Sequence, residues 1–448
     1  MWRKNLASIG LSLLLPAGMA MSADSPGAPL ELSLKRAIET ALSPSGNARV
    51  RLAQATTRQA QERANQARAA LLPNLDATVG QQNQTRNLAS YGFKFTKMIP
   101  GVTIPDLVGP FTTFDARASL SQSVLDFSAI RRYQASRAGV KAADSESRAT
   151  QDQVARQVAG LYFGSLRAEA RVQAAEANVK LAEELLRLAI NQQQAGTGTG
   201  LEVTRARVQL ANERQALLVA HNERRQANLQ LLKAIGLPLE TPLQFTYPLG
   251  FAPVDVPLSE QALAAALDER ADYAAQQKRE ESARLSYSGV KMERLPSVVG
   301  FADYGTIGTS INNTIPTRTV GLSVRVPVFD GGRRDARRGE SRSAYEQEKI
   351  RTADLKQQIE LELQLAMDSL GSAKDQVQVA SDGLKQAEDE LERASRRYKA
   401  GLANSLEVTD AQTRLARARD NRIAALYLYN VARVDLGQAM GTIQRMVD

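Results

Sequence analysis

IELELQLAMDSLGSAKDQVQVASDGLKQAEDELERA, residues Ile359–Ala394, decides the architecture. Stepped by four and three, it gives Ile359, Leu363, Ala366, Leu370, Ala373, Val377, Ala380, Leu384, Ala387, Leu391 and Ala394, all apolar, with mostly polar or charged residues between. A 3.5-residue repeat keeps one seam of a helix turned toward its neighbours and gives left-handed supercoiling. From Ala366 onward, large side chains alternate with alanine, so helix backbones can approach closely. That pattern suits a thin wall of packed helices better than a thick globular core.

The same seam occurs 205 residues earlier, where Val172, Ala175, Val179, Ala182, Leu186 and Ala189 answer Val377, Ala380, Leu384, Ala387, Leu391 and Ala394. Other landmarks repeat with it: Leu72-Pro73 and Leu295-Pro296, Ala195-Gly196 and Ala400-Gly401, Leu201-Glu202-Val203-Thr204 and Leu406-Glu407-Val408-Thr409. The chain therefore reads as a tandem duplication of helix, β-hairpin, long helix and return helix. The repeats span 24–236 and 258–441, with a Pro-containing linker at 237–257 in the equatorial region and a tail at 442–448. In the first repeat, the helical pattern of Leu32 to Leu72 breaks at Ser43-Pro44-Ser45-Gly46, and strands are predicted at about 74–84 and 113–125. A helix over 127–195, about 100 Å long at 1.5 Å per residue, precedes the return helix 201–235. In the second, Leu258 to Leu295 leads to strands at about 297–306 and 318–329, a long helix at about 333–400 and a return helix at 405–440. The strands alternate apolar with polar residues, as in Val320, Leu322, Val324, Val326 and Val328 against Gly321, Ser323 and Arg325, a period of two with one face of each kind.

At 448 residues, with few linkers, the chain points to an elongated form rather than one core. Its formal charge of +9 comes from Arg and Lys interleaved with Glu, Asp and Gln along helices, which reads as solvated faces rather than a nucleic-acid footprint. Cysteine is absent, which excludes thiol nucleophiles, thiolate metal sites and disulfides, and the one histidine, His221, reads as solvated. No catalytic constellation is visible, and no cofactor or metal is expected. Arg3 and Lys4, the apolar run Leu6 to Leu15 and the small residues Ala17 to Ala23 have the layout of a secretory signal peptide over 1–23, with cleavage after Ala20, Ser22 or Ala23. The apolar run is shorter than the roughly 20 residues that span a bilayer, so membrane insertion falls to the strands.

Four amphipathic strands cannot close, and an open sheet edge in lipid leaves backbone groups unpaired. A membrane barrel needs eight or more strands, so chains must pool them, giving eight from a dimer or twelve from a trimer. The polar face would line a water-filled lumen, and the helices would continue the wall into the periplasm.

The junction Val326-Pro327-Val328-Phe329-Asp330-Gly331-Gly332-Arg333, its partner Ser123-Val124-Leu125-Asp126-Phe127, the paired Leu-Pro boundaries and Tyr398-Lys399-Ala400-Gly401 followed by Leu406-Glu407-Val408 resemble the TolC family of outer-membrane efflux channels. The resemblance covers essentially the whole mature chain. It implies a mostly α protomer with a transmembrane β-barrel, a homotrimer with a twelve-stranded barrel in outer-membrane lipid, and an α-helical tunnel in the periplasm. It also implies a periplasmic adaptor and an inner-membrane pump as partners, and passive export of drugs or other toxic small molecules. Type I protein secretion or metal export remain alternatives of cargo, and a structural periplasmic coiled coil is the alternative of a different class. The chain lacks the acceptor cysteine of the lipidated branch, and its first hairpin loop, Gln81 to Thr113, is long and partly hydrophobic at Phe93, Phe95, Met98 and Ile99.

The helix-turn-helix tips carry the candidate functional residues. Gly196 and Gly401 suit the left-handed residue that ends a helix, and Thr199 to Glu202, with Asn404 to Glu407 as a looser version, have capping-box spacing. Glu202 and Glu407 are thus caps as well as candidates for the gate. Asp410 lies on the face of Glu407, and the first repeat has Arg205 in its place, so capping symmetry does not explain it. By the resemblance, Glu407 and Asp410 line the narrow periplasmic entrance, and Gly196, Leu201, Gly401 and Leu406 are adaptor-docking positions. Gly196-x-Gly198-x-Gly200 follows a helix rather than a strand and lacks a phosphate-binding Lys, which argues against nucleotide binding. Arg333, Arg334, Arg337 and Arg338 would lie near the inner membrane boundary, as a solvated face or against lipid phosphates.

Overall fold

The computed structural model describes residues 29–91, 106–254 and 259–445. The expected signal segment and the loop residues Phe93, Phe95, Met98 and Ile99 lie outside them. In chain order the elements are β1 (Leu30–Leu32), α1 (Leu34–Leu42), α2 (Ala48–Ala69), β2 (Asn74–Asn87), β3 (Leu107–Leu125), α3 (Phe127–Gln194), α4 (Gly200–Ile235), β4 (Leu243–Phe245), α5 (Ser259–Glu269), α6 (Ala271–Met292), β5 (Ser297–Ser310), β6 (Asn313–Arg325), α7 (Arg333–Lys399) and α8 (Ser405–Ala439).

The strands form one antiparallel sheet in the order β2-β3-β5-β6. Its register stacks Leu75, Leu120, Ala302 and Val320 in one row and Asp76, Ser119, Asp303 and Thr319 in the next, so one face is apolar and the other polar. On the polar face Arg117 Nε donates to Asp115 at 2.8 Å and its Nη1 to Asp303 at 3.3 Å, tying the two hairpins together. The first hairpin's strands run beyond the expected 84 and 113, to Asn87 and from Leu107. In the second, the strands run beyond the expected 306 and 318, to Ser310 and from Asn313, while β6 ends at Arg325 instead of 329, opposite Ser297, where β5 begins just after Pro296.

The helices form a wall one layer thick. Near the sheet the packing order is α2, α3, α6, α7, and toward the far end it is α4, α3, α8, α7. Nine seam positions of α7 are buried, while Ala380 and Leu384 are partly buried. A single helix layer buries only one stripe per helix, so Val379 and Leu365 stay exposed on α7, as do Leu218 and Val219 on α4.

Between these levels lies an equatorial belt. Leu32 belongs not to a helix, as the sequence pattern has it, but to β1, which pairs in parallel with β4 inside the stretch read as a linker. Ser33 then caps α1, its Oγ accepting from Arg36 N at 3.2 Å. The tail is also built in: Ile443 is buried in the core of the first half, Gln444 Nε2 donates to Asp152 at 2.7 Å and Arg445 makes two bonds to Glu269. Burial pushes the Asp152 carboxyl up, against the Gln444 bond. Arg270, 6% exposed, bonds Asp272 and Glu362 at 2.7 Å each. Burial alone would raise the Asp272 carboxyl, yet the Arg270 bonds and charge outweigh it and hold the carboxyl below its usual value.

Candidate functional site: the two helix-turn-helix tips

Both tips turn by one physical device. Gly196 (φ 73°) and Gly401 (φ 71°) take the left-handed conformation that glycine adopts without a Cβ penalty. Beyond each, an N–H reaches five residues back, Thr197 to Gln192 O at 3.0 Å and Leu402 to Arg397 O at 2.9 Å, satisfying carbonyls that the helix end leaves free.

The return helices begin differently. At α4 the capping box is complete: Glu202 N donates to Thr199 Oγ1 at 3.4 Å and Thr199 N donates to Glu202 Oε2 at 3.0 Å. At α8 only half of it forms. Glu407 N donates to Asn404 Oδ1 at 3.1 Å, while the Glu407 carboxylate turns to Arg397 on α7 at 3.2 Å. One turn on, Asp410 is exposed, with no ion pair among the described residues, and Arg205 holds the matching exposed position on α4.

The tips are bound to each other. Tyr398, buried among Leu391, Ala394 and Val408 with Leu185 and Leu188 of α3 beside them, accepts at its carbonyl from Gln192 Nε2 at 3.4 Å. Its hydroxyl and the Ser405 Oγ are buried without hydrogen-bond partners among the described residues. Burial, and then the charge of Glu202, push the Tyr398 phenol up. The structure thus brings Glu202 to a cleft shared with Tyr398, Ser405 and Arg205, whereas Glu407 is held by α7 and Asp410 stands apart. Leu201 and Leu406 are both exposed beside the turn glycines. Tyr398, Ser405 and Arg397 were not singled out from sequence as functional. The only signal is the position of Tyr398 three residues before Gly401.

Among the described residues no cluster of His, Asp or Glu is arranged to hold a metal ion. No described helix is long and apolar enough to cross a membrane. A sheet with one apolar face above a wall of long polar helices is the arrangement of an outer-membrane channel protein.

The family model described as "Outer membrane efflux protein" matches residues 42–237 and 262–442, and the chain belongs to that family. It is 26% identical over 394 residues, 86% of this chain and 81% of the relative, to the pyoverdine export outer membrane protein OpmQ of Pseudomonas aeruginosa. The alkaline protease secretion protein AprF of the same organism is 27% identical over 232 residues, half of this chain and 47% of AprF. In fold it is similar to the Campylobacter jejuni CmeC outer membrane channel, with TM-score 0.80 and 16% identity over 98% of this chain and 94% of CmeC. It is similar also to CusC, with TM-score 0.77 and 20% identity over 97% and 99% of the two chains. The resemblance to the TolC family therefore holds, and the chain is an outer-membrane channel protein of the kind used in efflux or secretion.

Proposed function

We propose that this chain is the outer-membrane exit duct of a tripartite efflux system, passively conducting small molecules from the periplasm to the exterior as a homotrimer docked to a periplasmic adaptor and an inner-membrane pump. One observation carries the reading: the protomer is open at the same two sides at every level. The sheet leaves β2 and β6 as edges, the helices near it leave α2 and α7, and those at the far end leave α4 and α7. Each pair joins the first half of the chain to the second, so a neighbour rotated about one axis meets all three edges in register and the ring closes. Three copies of the four-stranded sheet give a twelve-stranded barrel without unpaired edges. The exposed Leu218 and Val219 of α4 and Leu365 and Val379 of α7 lie on elements that such a ring brings together.

At the far end, three copies of Asp410 form a ring of negative charge around the entrance that favours cations; Glu407, paired with Arg397, and Glu202, held in its capping box, are the further carboxylates of that gate and carry less of its charge. The tips around Gly196, Leu201, Gly401 and Leu406 are the adaptor-docking surface, and the two halves descend from a duplicated unit. The test is recovery of trimers that dissociate only on heating from the outer-membrane fraction, together with increased sensitivity of a deletion strain to drugs and dyes. A monomeric soluble periplasmic species would refute the reading. OpmQ, whose name specifies pyoverdine export, matches over most of this chain, whereas the match to AprF covers half. That favours small exported molecules, siderophore-like compounds among them, over protein cargo.

A further inference from the structure

The apolar face of β6 does not end with the strand. Val320 (80% exposed), Leu322 and Val324 are followed on the same alternation by Val326 and by Val328 (90% exposed), and then by Phe329 (87% exposed). These last residues lie beyond the ladder, beside two left-handed glycines, Gly331 and Gly332, that turn the chain into α7. Immediately after them come four arginines, of which two are engaged by protein carboxylates, Arg334 by Asp330 at 3.3 Å and Arg337 by Glu293 at 3.0 Å. Arg333 comes no closer than 4.0 Å to Asp330, and Arg338 is exposed without an ion pair among the described residues. Asp335 is taken by Arg294. Glu340, the next carboxylate without an ion pair among the described residues, lies about 10 Å along α7 from Arg333 and about 3 Å from Arg338 at 1.5 Å per residue, but two residues on from Arg338 it points to a different side of the helix. An exposed apolar run continuous with the lipid-facing side of a barrel, ending in exposed guanidinium groups of which Arg333 has only a 4.0 Å ion pair to Asp330, has the order of an acyl chain followed by a phosphate headgroup.

We infer that Val328 and Phe329 enter the periplasmic leaflet at the foot of the barrel, and that Arg333 and Arg338 select anionic phospholipid there. This rests on the outer-membrane reading above and adds a headgroup preference to it. Two arginines near a membrane surface enrich anionic lipid by about fivefold each.

The test uses the exported chain, its one native tryptophan, Trp2, lying in the expected signal segment 1–23, with either Phe329→Trp or Leu322→Trp. Each is reconstituted in phosphatidylethanolamine vesicles containing a minor fraction of phosphatidylglycerol, with bromine on the acyl chains of one lipid or the other. The indole introduced by Phe329→Trp is expected to be quenched by both and several-fold more efficiently, per mole of brominated lipid, by phosphatidylglycerol. The preference should vanish with Arg333→Gln plus Arg338→Gln, and in 1 M salt without any further substitution, where screening acts within about 3 Å. Equal quenching per mole overturns the preference. Quenching of Leu322→Trp but not of Phe329→Trp means that a neighbouring copy covers the rim, and it overturns the inference while leaving the barrel intact. Absence of quenching at both positions sinks the inference and the membrane reading together.

Discussion

The two tips share a backbone and differ in chemistry. Each closes on a left-handed glycine and each return helix starts on a side-chain cap, but Glu202 is folded back onto its own helix start while Glu407 reaches across to Arg397. One turn later the first tip shows Arg205 and the second Asp410, both exposed. Turn geometry is thus common to both, while the exposed charge one turn on differs in sign, Arg205 at the first tip and Asp410 at the second.

Substitutions at the glycines test the shared half and have the largest expected effect on local stability. Among the described residues no atom beyond the chain neighbours lies within 4 Å of where a Cβ would stand on Gly196 or Gly401, so in the protomer Gly196→Val and Gly401→Val meet mainly backbone strain. Each should lower the local opening free energy, read by hydrogen exchange of the tip amides, by roughly 1–2 kcal/mol. Unequal losses would break the shared-backbone claim. Thr199→Ala and Asn404→Ala should follow at about 1 kcal/mol each, since each removes one side-chain acceptor, and the backbone N–H that holds the Glu202 carboxylate survives the alanine.

Smaller still, Glu407→Gln loses an ion pair whose partners are 41% and 58% exposed, worth about 0.5 kcal/mol or less and abolished in 1 M salt. Glu202→Gln keeps the capping box and should be nearly silent, as measured by the same exchange. Arg205→Gln and Asp410→Asn should leave tip stability unchanged, since neither side chain has an ion pair among the described residues.

The long elements were legible because their periods are sustained: the seam from Ile359 to Ala394 needs many turns to exclude other readings, and the alternation from Val320 to Val328 needs several residues. The same alternation overran the strand, since periodicity follows side-chain type while pairing needs a partner, and β5 begins only at Ser297, opposite Arg325. The equatorial pairing of Leu30–Leu32 with Leu243–Phe245 was not legible, because three residues carry no period and the partners are far apart in sequence. The half-formed cap at Asn404 was visible in spacing. Diversion of Glu407 to Arg397 and the buried hydroxyl of Tyr398 were not, since both depend on how α7 packs against its neighbours.

The most direct test of the account is the reversal potential of single trimers in planar bilayers under a salt gradient. Wild-type channels should be cation-selective, Asp410→Asn should move the reversal potential toward zero and weaken block by divalent cations, and Arg205→Gln should shift neither in that direction. Unchanged selectivity in Asp410→Asn trimers would contradict the claim that the free carboxylates of the second tip encircle the pore.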